Sequence, residues 1–336
     1  MSQHFDHGRN IVGSDVVISR SQPKVIVITV TVFIRDRIDP FKPHMFETYL
    51  QNWLAFKRTG ASMAVSTKEK REAFRKLHES GCFVLPNPWD IGSARLLQHL
   101  GFKALASTSS GYAWSTGRPD NGVGVDDVID HLTTLCGATD LPLNADFESG
   151  FSDSPEGVGI NVTRAVATGV AGLSIEDSTG DASRPLFDEA DAVARIKAAR
   201  AAIDKDSSDV ILVGRCEGFL VGRPDLGLVI ARLQAYSDAG ADCLYAPGIK
   251  TKSEISAVVK ALYPKPINML IGGAGSSVQI MADLGVRRIS VGGALARVAW
   301  GGFIKASREI AEKGTFGGLA NAIPFADLNG MFAGND

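Results

Sequence analysis

A recurring unit constrains this chain more than any single residue does. Eight short apolar runs occupy residues 83–86, 104–108, 141–147, 172–177, 211–217, 243–248, 267–272 and 288–293. Each passes into Gly, Asp, Glu, Ser or Pro and then into a helical pattern, as where Val193, Ile196, Lys197 and Arg200 stand among alanines. Runs apolar almost throughout, joined by amphipathic helices, mean parallel strands buried on both faces. Eight such units predict a (β/α)8 TIM barrel. A doubly wound open sheet is the alternative, but it would carry a phosphate-binding glycine loop after its first strand. Here that position reads Leu85-Pro86-Asn87-Pro88, which cannot form one.

The barrel pattern leaves residues 1–62 unexplained, so 63–336 is read as the catalytic barrel with a C-terminal helical tail. Residues 1–62 form an accessory or poorly ordered extension, with one β-branched run over 25–34. That run is about half of what a membrane span needs. It is followed by Arg35 and Arg37, without a small-residue cleavage site, and so fits a signal peptide poorly. Lys plus Arg total 35 against 37 Asp plus Glu, a net charge of −2. So even a balance gives no reason to expect nucleic acid or an anionic membrane as partner. Cys82, Cys136, Cys216 and Cys243 stand far apart without a CxxC or neighbouring histidine, which argues for a reducing cytoplasm over a disulfide framework or zinc site.

Barrel active sites lie at the C-terminal ends of the strands. Those ends carry Thr108-Ser109-Ser110-Gly111 with Asp120 on the same loop, Asn144-Ala145-Asp146-Phe147-Glu148, Glu176-Asp177 and Arg215-Cys216-Glu217. Asn144, Asp146 and Glu148 alternate, so all three would share one face for as long as the strand holds. Singly, each residue reads equally as an ion pair or helix cap. As a set, converging carboxylates would repel one another unless a cation or proton intervened. Oxygen ligands without His or Cys suit Mg²⁺ or Mn²⁺. Arg215 is suited to pair a substrate carboxylate.

These motifs, with Gly117-Arg118-Pro119-Asp120 and Ile175-Glu176-Asp177, make residues 68–332 resemble the isocitrate lyase/phosphoenolpyruvate mutase superfamily. Each motif is weak alone; their order, one after each strand, is specific. The resemblance implies a barrel whose last helix is exchanged between subunits of a homodimer or homotetramer. It also implies a Mg²⁺-dependent site for 2-oxo acids or related small carboxylates, working through an enolate. On this resemblance Asp146 is the principal metal ligand, and Asp120 and Glu176 hold metal-bound waters. Ser109, Ser110, Gly111 and Arg215 bind substrate on the same grounds, and Thr108 and Asn144, at neighbouring strand ends, are candidate substrate-binding residues beside them. Two departures stand out. Asn144 replaces an expected aspartate, and residues 178–185 form a short lid region without the Lys-Cys-Gly of the isocitrate-type lyases. Isocitrate cleavage is therefore not expected.

Decarboxylation, or C–C cleavage with water as proton source, asks least of such a site. Arg215, Glu148 and Glu217 are the candidate catalytic residues, the two glutamates as acid or base. Alternatives are a phosphonomutase or C–P bond hydrolase for a phosphonopyruvate-like substrate, since Gly272 to Ser276 and Gly292-Gly293 stand where barrels bind phosphate. A non-catalytic barrel is the third reading, favoured by Asn144. Cys216, the six histidines, Trp89 and Trp114 read as structural. Residues 309–332 begin charged and end apolar, as a segment docking on a neighbouring subunit would.

Overall fold

The computed structural model describes residues 65–205 and 209–333 with their side chains, and the backbone of Val16–Ile18 and Ile28–Val30. The chain divides into two compact units, Met1–Met63 and Ala64–Asp336. In the first, β1 (Val16–Ile18) pairs antiparallel with β2 (Ile28–Val30). The other expectations for residues 1–62 lie outside the described residues.

The second unit is a (β/α)8 TIM barrel. Its strands are β3 (Phe83–Leu85), β4 (Leu105–Ala106), β5 (Leu143–Asp146), β6 (Gly172–Glu176), β7 (Ile211–Arg215), β8 (Cys243–Tyr245), β9 (Ile267–Leu270) and β10 (Arg288–Ser290). All eight form one sheet in the order β3-β10-β9-β8-β7-β6-β5-β4, and every neighbouring pair is parallel. Between the two end strands, β3 and β4, the Ala106 N–H donates to Pro86 O at 3.0 Å. Beside it Asn87 staples three strand ends. Its Nδ2 donates to Ser107 O at 2.8 Å, and its Oδ1 accepts from the Val291 and Gly292 N–H groups at 2.9 and 2.8 Å.

Two apolar layers result. Helices pack outside the strands through a large cluster that includes Leu132, Phe147, Leu173, Leu212, Tyr236 and Leu244. In helix α6 (Glu189–Lys205) the buried face is Ala192, Arg195, Ile196, Ala199, Ala202 and Ile203, its alanines letting the helix lie close to the sheet. The interior cluster joins Phe74, Leu85, Ala106, Ile211, Val213 and Tyr245. Phe74 belongs to α1 (Thr67–Leu77), which starts at a Ser66–Glu69 capping box and closes the N-terminal end of the barrel.

Beyond β10 the chain forms α10 (Ala294–Lys313) and, after a 3₁₀ turn over Gly317–Asn321, α11 (Phe325–Phe332). Val298, Phe303, Phe316, Leu319, Ile323 and Phe325 are exposed along this tail. No helix among the described residues is long and apolar enough to cross a membrane.

Candidate active site

The C-terminal ends of β4, β5, β6 and β7 bring the charged residues together. After β4, Thr108 caps the short helix α3 (Ser109–Ser115), accepting from the Gly111 N–H at 3.2 Å. A Cβ on Gly111 would lie 2.6 Å from Thr108 Cγ2 and 3.1 Å from Trp89 Cβ, so packing itself demands glycine there. Ser109 donates to Asp146 Oδ2 from both its N–H and its hydroxyl, at 3.0 and 2.9 Å. Two of the loop's amides therefore already have partners within the protein.

Arg215, at the end of β7, is clamped on three sides. Its Nη1 lies 3.1 Å from Asp146 Oδ1 and 3.0 Å from Glu176 Oε2, and its Nε donates to Glu217 Oε1. Burial works against the guanidinium's charge, but Glu176, Glu217 and Asp146 overcome it and raise its pKa well above the usual range. One guanidinium cannot satisfy this many carboxylates. Burial pushes Glu176 well up, with Glu217, Asp146 and Glu148 adding to the push against the pull of Arg215. Burial likewise raises Glu217. Asp120 is raised by burial and then by Asp146. Glu148 is pushed up to about 7 by burial, Asp146 and Asp120.

Behind the clamp, buried Asp177 anchors the β7 end. Its Oδ1 accepts from the Glu217 N–H at 2.7 Å, and its Oδ2 from Tyr236 Oη at 2.7 Å and Arg232 Nη1 at 3.1 Å. This brace fixes where Glu217 leaves the strand, and so where it meets Arg215.

The expected alternation along β5 breaks after Asp146. The strand ends there, and the chain turns left-handed at Glu148 (φ 47°) and again at Phe151 (φ 54°). Arg195 holds this turn from α6, donating to the carbonyls of Ser149, Ser152 and Asp153 at 3.1, 2.7 and 2.8 Å. Asn144 and Asp146 consequently line the cavity, while Glu148 stands beside it.

The cavity measures about 160 Å³ and runs from this rim down into the barrel. Of the residues expected from sequence, Thr108, Ser109, Ser110, Asp120, Asn144, Asp146 and Arg215 line it. Glu176 and Glu217 are reached through Arg215. Gly292 and Gly293 line it too, but residues 272–276 do not, and the Gly292 N–H is taken by Asn87. Neither Trp89 nor Trp114 lines it; Trp114 packs against Gly293 and Trp89 against Gly111. Cys216 is fully buried, and burial with Asp177 pushes its thiol far up, as for a core cysteine. The lid region folds back on itself through the Ser178–Leu186 bridge.

The floor was not anticipated. Arg288 at the start of β10 donates from Nε to Asn268 Oδ1 at 2.9 Å, and its Nη1 lies 3.4 Å from Asn144 Oδ1 and 3.3 Å from His78 Nε2. Asn144 thus turns its carbonyl oxygen toward Arg288 and donates from Nδ2 to Ala145 O at 3.0 Å. Gly172 leaves room for this, since a Cβ there would lie 2.7 Å from both Asn144 Oδ1 and Phe74 Cε1. Ser174, Asn268 and Ser290 complete the polar lower wall. The signal available in sequence was polar residues at alternate positions of apolar strands: Asn144 and Asp146, Ser174 and Glu176, Arg288 and Ser290.

Among the described residues, no three His, Cys, Asp or Glu side chains form a ready-made metal cage. Mg²⁺ does not require one, because it is usually held by one or two carboxylates and keeps several waters. An all-oxygen donor set with anionic excess, in which Glu148, Glu176 and Asp120 are pushed toward protonation, fits such an ion.

The phosphoenolpyruvate phosphomutase family model matches residues 74–311. The chain is 47% identical to a solved Burkholderia cenocepacia J2315 protein whose assignment as a lyase/mutase is provisional; the match covers 80% of this chain and 98% of that one, with a TM-score of 0.77. It is 29% identical to an oxaloacetate decarboxylase of Paraburkholderia xenovorans strain LB400, over 66% of this chain and 75% of that protein. A phosphonopyruvate hydrolase solved with oxalate and Mg²⁺ is 25% identical, with a TM-score of 0.69 over 78% of this chain and 95% of that one. The chain belongs to the phosphoenolpyruvate phosphomutase family, within the isocitrate lyase/phosphoenolpyruvate mutase superfamily, and is an enzyme of that lyase type.

Proposed function

We propose that this enzyme is a Mg²⁺-dependent lyase of a small 2-oxo acid or related carboxylate, breaking a C–C bond or removing CO₂ beside the carbonyl. The observation that carries this reading is the rim, where Asp120, Asp146, Glu148, Glu176 and Glu217 crowd one guanidinium at the strand ends. Asp146 would hold the metal directly, with Asp120 and Glu176 reaching it through water. Bound Mg²⁺ would supply Lewis-acid stabilisation for the negative oxygen that develops on the substrate. Ser109 orients Asp146 through its two hydrogen bonds. Arg215 and the hydroxyl of Ser110 face the substrate carboxylate. When the bond beside the carbonyl breaks, its electron pair stays conjugated with that carbonyl, and a proton must reach the carbon. Glu148, with a pKa near neutrality, is the first candidate to deliver it. Glu217 is pinned by Arg215 and serves orientation.

Two relatives bear on the substrate: one is an oxaloacetate decarboxylase, the other a phosphonopyruvate hydrolase seen with oxalate. The second favours C–P cleavage as the alternative reading. The exposed apolar tail supports a homo-oligomer formed by exchange of α10 and α11; a monomer in sedimentation would remove that part. The free cysteines suit a reducing cytoplasm.

The test is incubation with Mg²⁺ and a panel of oxaloacetate, 2-hydroxy diacids and phosphonopyruvate, with products followed by NMR. Asp146→Ala controls for the decarboxylation of oxaloacetate by free Mg²⁺. Turnover lost in Asp146→Ala is the expected result. Turnover that survives this change, or no turnover together with weak Mn²⁺ binding, would overturn the reading.

A further inference from the structure

Arg288 is a buried cation without an anion. It is 3% exposed, yet it lines the cavity. Its hydrogen-bonding partners are two amide oxygens, an imidazole and the Cys243 thiol, which burial pushes up and so keeps protonated, and no carboxylate among the described residues forms an ion pair with it. The imidazole of His78 adds no negative charge. Burial and then Arg288 hold its pKa down to about 3, so it is neutral at physiological pH. Behind Arg288 lies the Phe74 ring, 5.9 Å from Cζ to the ring centroid.

A charge withdrawn from water without a counter-ion is strongly unfavourable. The sequence at this floor withholds the simplest remedy. Position 144 carries an amide where a carboxylate of the same shape would make a direct ion pair with Arg288. At the rim the imbalance has the opposite sign. Open space reaches Arg288 through the cavity, whose lower wall of Asn144, Ser174, Asn268 and Ser290 supplies polar but uncharged groups.

We propose that Arg288 is the counter-ion for a second anionic group of the substrate, so that the cavity selects dianions. One oxyanion would sit at the rim with Arg215 and the metal, and the other would descend to the floor against Arg288, Asn268 and Asn144. The inference deepens the lyase reading and rests on it for the rim end only. The shared chemistry of the floor group is an oxyanion, either a carboxylate or a phosphonate. Monoanionic 2-oxo acids are poor ligands because they leave Arg288 uncompensated.

Binding, not turnover, tests it. The full chain, in Mg²⁺ and separately in EDTA, is titrated calorimetrically with succinate, phosphonoacetate and propionate. The first two carry a second anionic group that propionate lacks, and their relative affinities separate a carboxylate from a phosphonate source. The expected result in Mg²⁺ is at least tenfold tighter binding of one dianion over propionate, reduced to parity in Arg288→Met. Asn144→Asp is the second variant. It supplies an internal counter-ion without removing a side chain, and it too abolishes the preference. Equal binding of all three probes to the wild type, an absence of binding, or a preference that survives both variants would overturn the proposal. Failure of the lyase reading looks different: turnover persists in Asp146→Ala while dianion preference still follows Arg288.

Discussion

The rim and the floor of this cavity stand within one barrel but carry opposite imbalances. At the rim, carboxylates from β5, β6 and β7 compete for Arg215, and burial raises the pKa values of Glu176 and Glu217. At the floor, Arg288 is surrounded by neutral partners and its own pKa falls through burial. A core built only for stability would have paired these charges with each other. On the proposed reading, each layer completes its electrostatics from outside the chain, with a cation above and an anion below. The two regions should therefore respond differently to the same kind of change.

The largest expected difference is in activity. Arg215→Met should lower kcat/KM by about 10³-fold, the order seen when one charge-stabilising donor is removed. It should also tighten Mn²⁺ binding, because Asp146 and Glu176 lose a competing cation. Arg288→Met should leave Mn²⁺ affinity unchanged. Steady-state kinetics and Mn²⁺ titration of both variants check this, and parallel behaviour would erase the distinction between the layers.

Next in size is the brace behind the rim. Asp177→Asn keeps the shape of the side chain but leaves Arg232 buried without its carboxylate. Breaking such a pair costs about 3 kcal/mol or more. Urea unfolding should show that loss, and activity should fall because the Glu217 backbone is no longer held. The floor has no equivalent brace, since Arg288 is held by amides.

A smaller effect separates the layers by pH. Glu148 has a carboxyl raised from 4.5 to about 7, so the stability it contributes is complete below about 4.5 and is lost as pH rises through 7. His78 is lowered from 6.5 to about 3, so its contribution is complete above 6.5 and is lost as pH falls toward 3. Above 6.5 the rim acts alone. In EDTA, Tm should decline from pH 6.5 to 7, and either Mg²⁺ or Glu148→Gln should flatten that decline. A Tm that rises over this interval would contradict the anionic excess at the rim.

The two layers also differed in how far sequence reached them. Asp146, Glu176 and Arg215 were visible because each closes an apolar run, and barrel topology places run ends at the mouth. Arg288 opens its run, where a charge reads as the solvated start of a strand. Seeing it as a floor residue requires knowing which way β10 faces and that α1 closes the barrel beneath it. Asn144 stands out in sequence as a missing charge, but its partner stands 144 positions away. Alternation puts Glu148 on the face shared by Asn144 and Asp146 because it has no means of showing where a strand ends. The left-handed turn there depends on Arg195, which reaches in from a helix three elements later. In sequence Asn87 marks only a segment unfit for a phosphate loop, although it ties β3, β4 and β10 together at the seam.

The smallest predicted effect is the most diagnostic of the floor. Arg288→Met removes a guanidinium from a site nearly closed to water, and replacing buried ionic groups by apolar ones of similar volume is often neutral or stabilising. Against that gain stand Asn268 Oδ1, Asn144 Oδ1 and His78 Nε2, which lose a donor. The two asparagines line the cavity, so water can take the donor's place there, and only His78 is left with a buried vacancy. The two effects nearly cancel, and the expected change in unfolding free energy without ligand is under about 1 kcal/mol. That value contrasts with the loss in Asp177→Asn, although both substitutions remove a buried charge. If Arg288→Met instead unfolds the barrel, the guanidinium is a structural bolt between β9, β5 and α1, and the floor and rim have the same purpose after all. If stability holds while dianion binding disappears, Arg288 is held in place for a ligand.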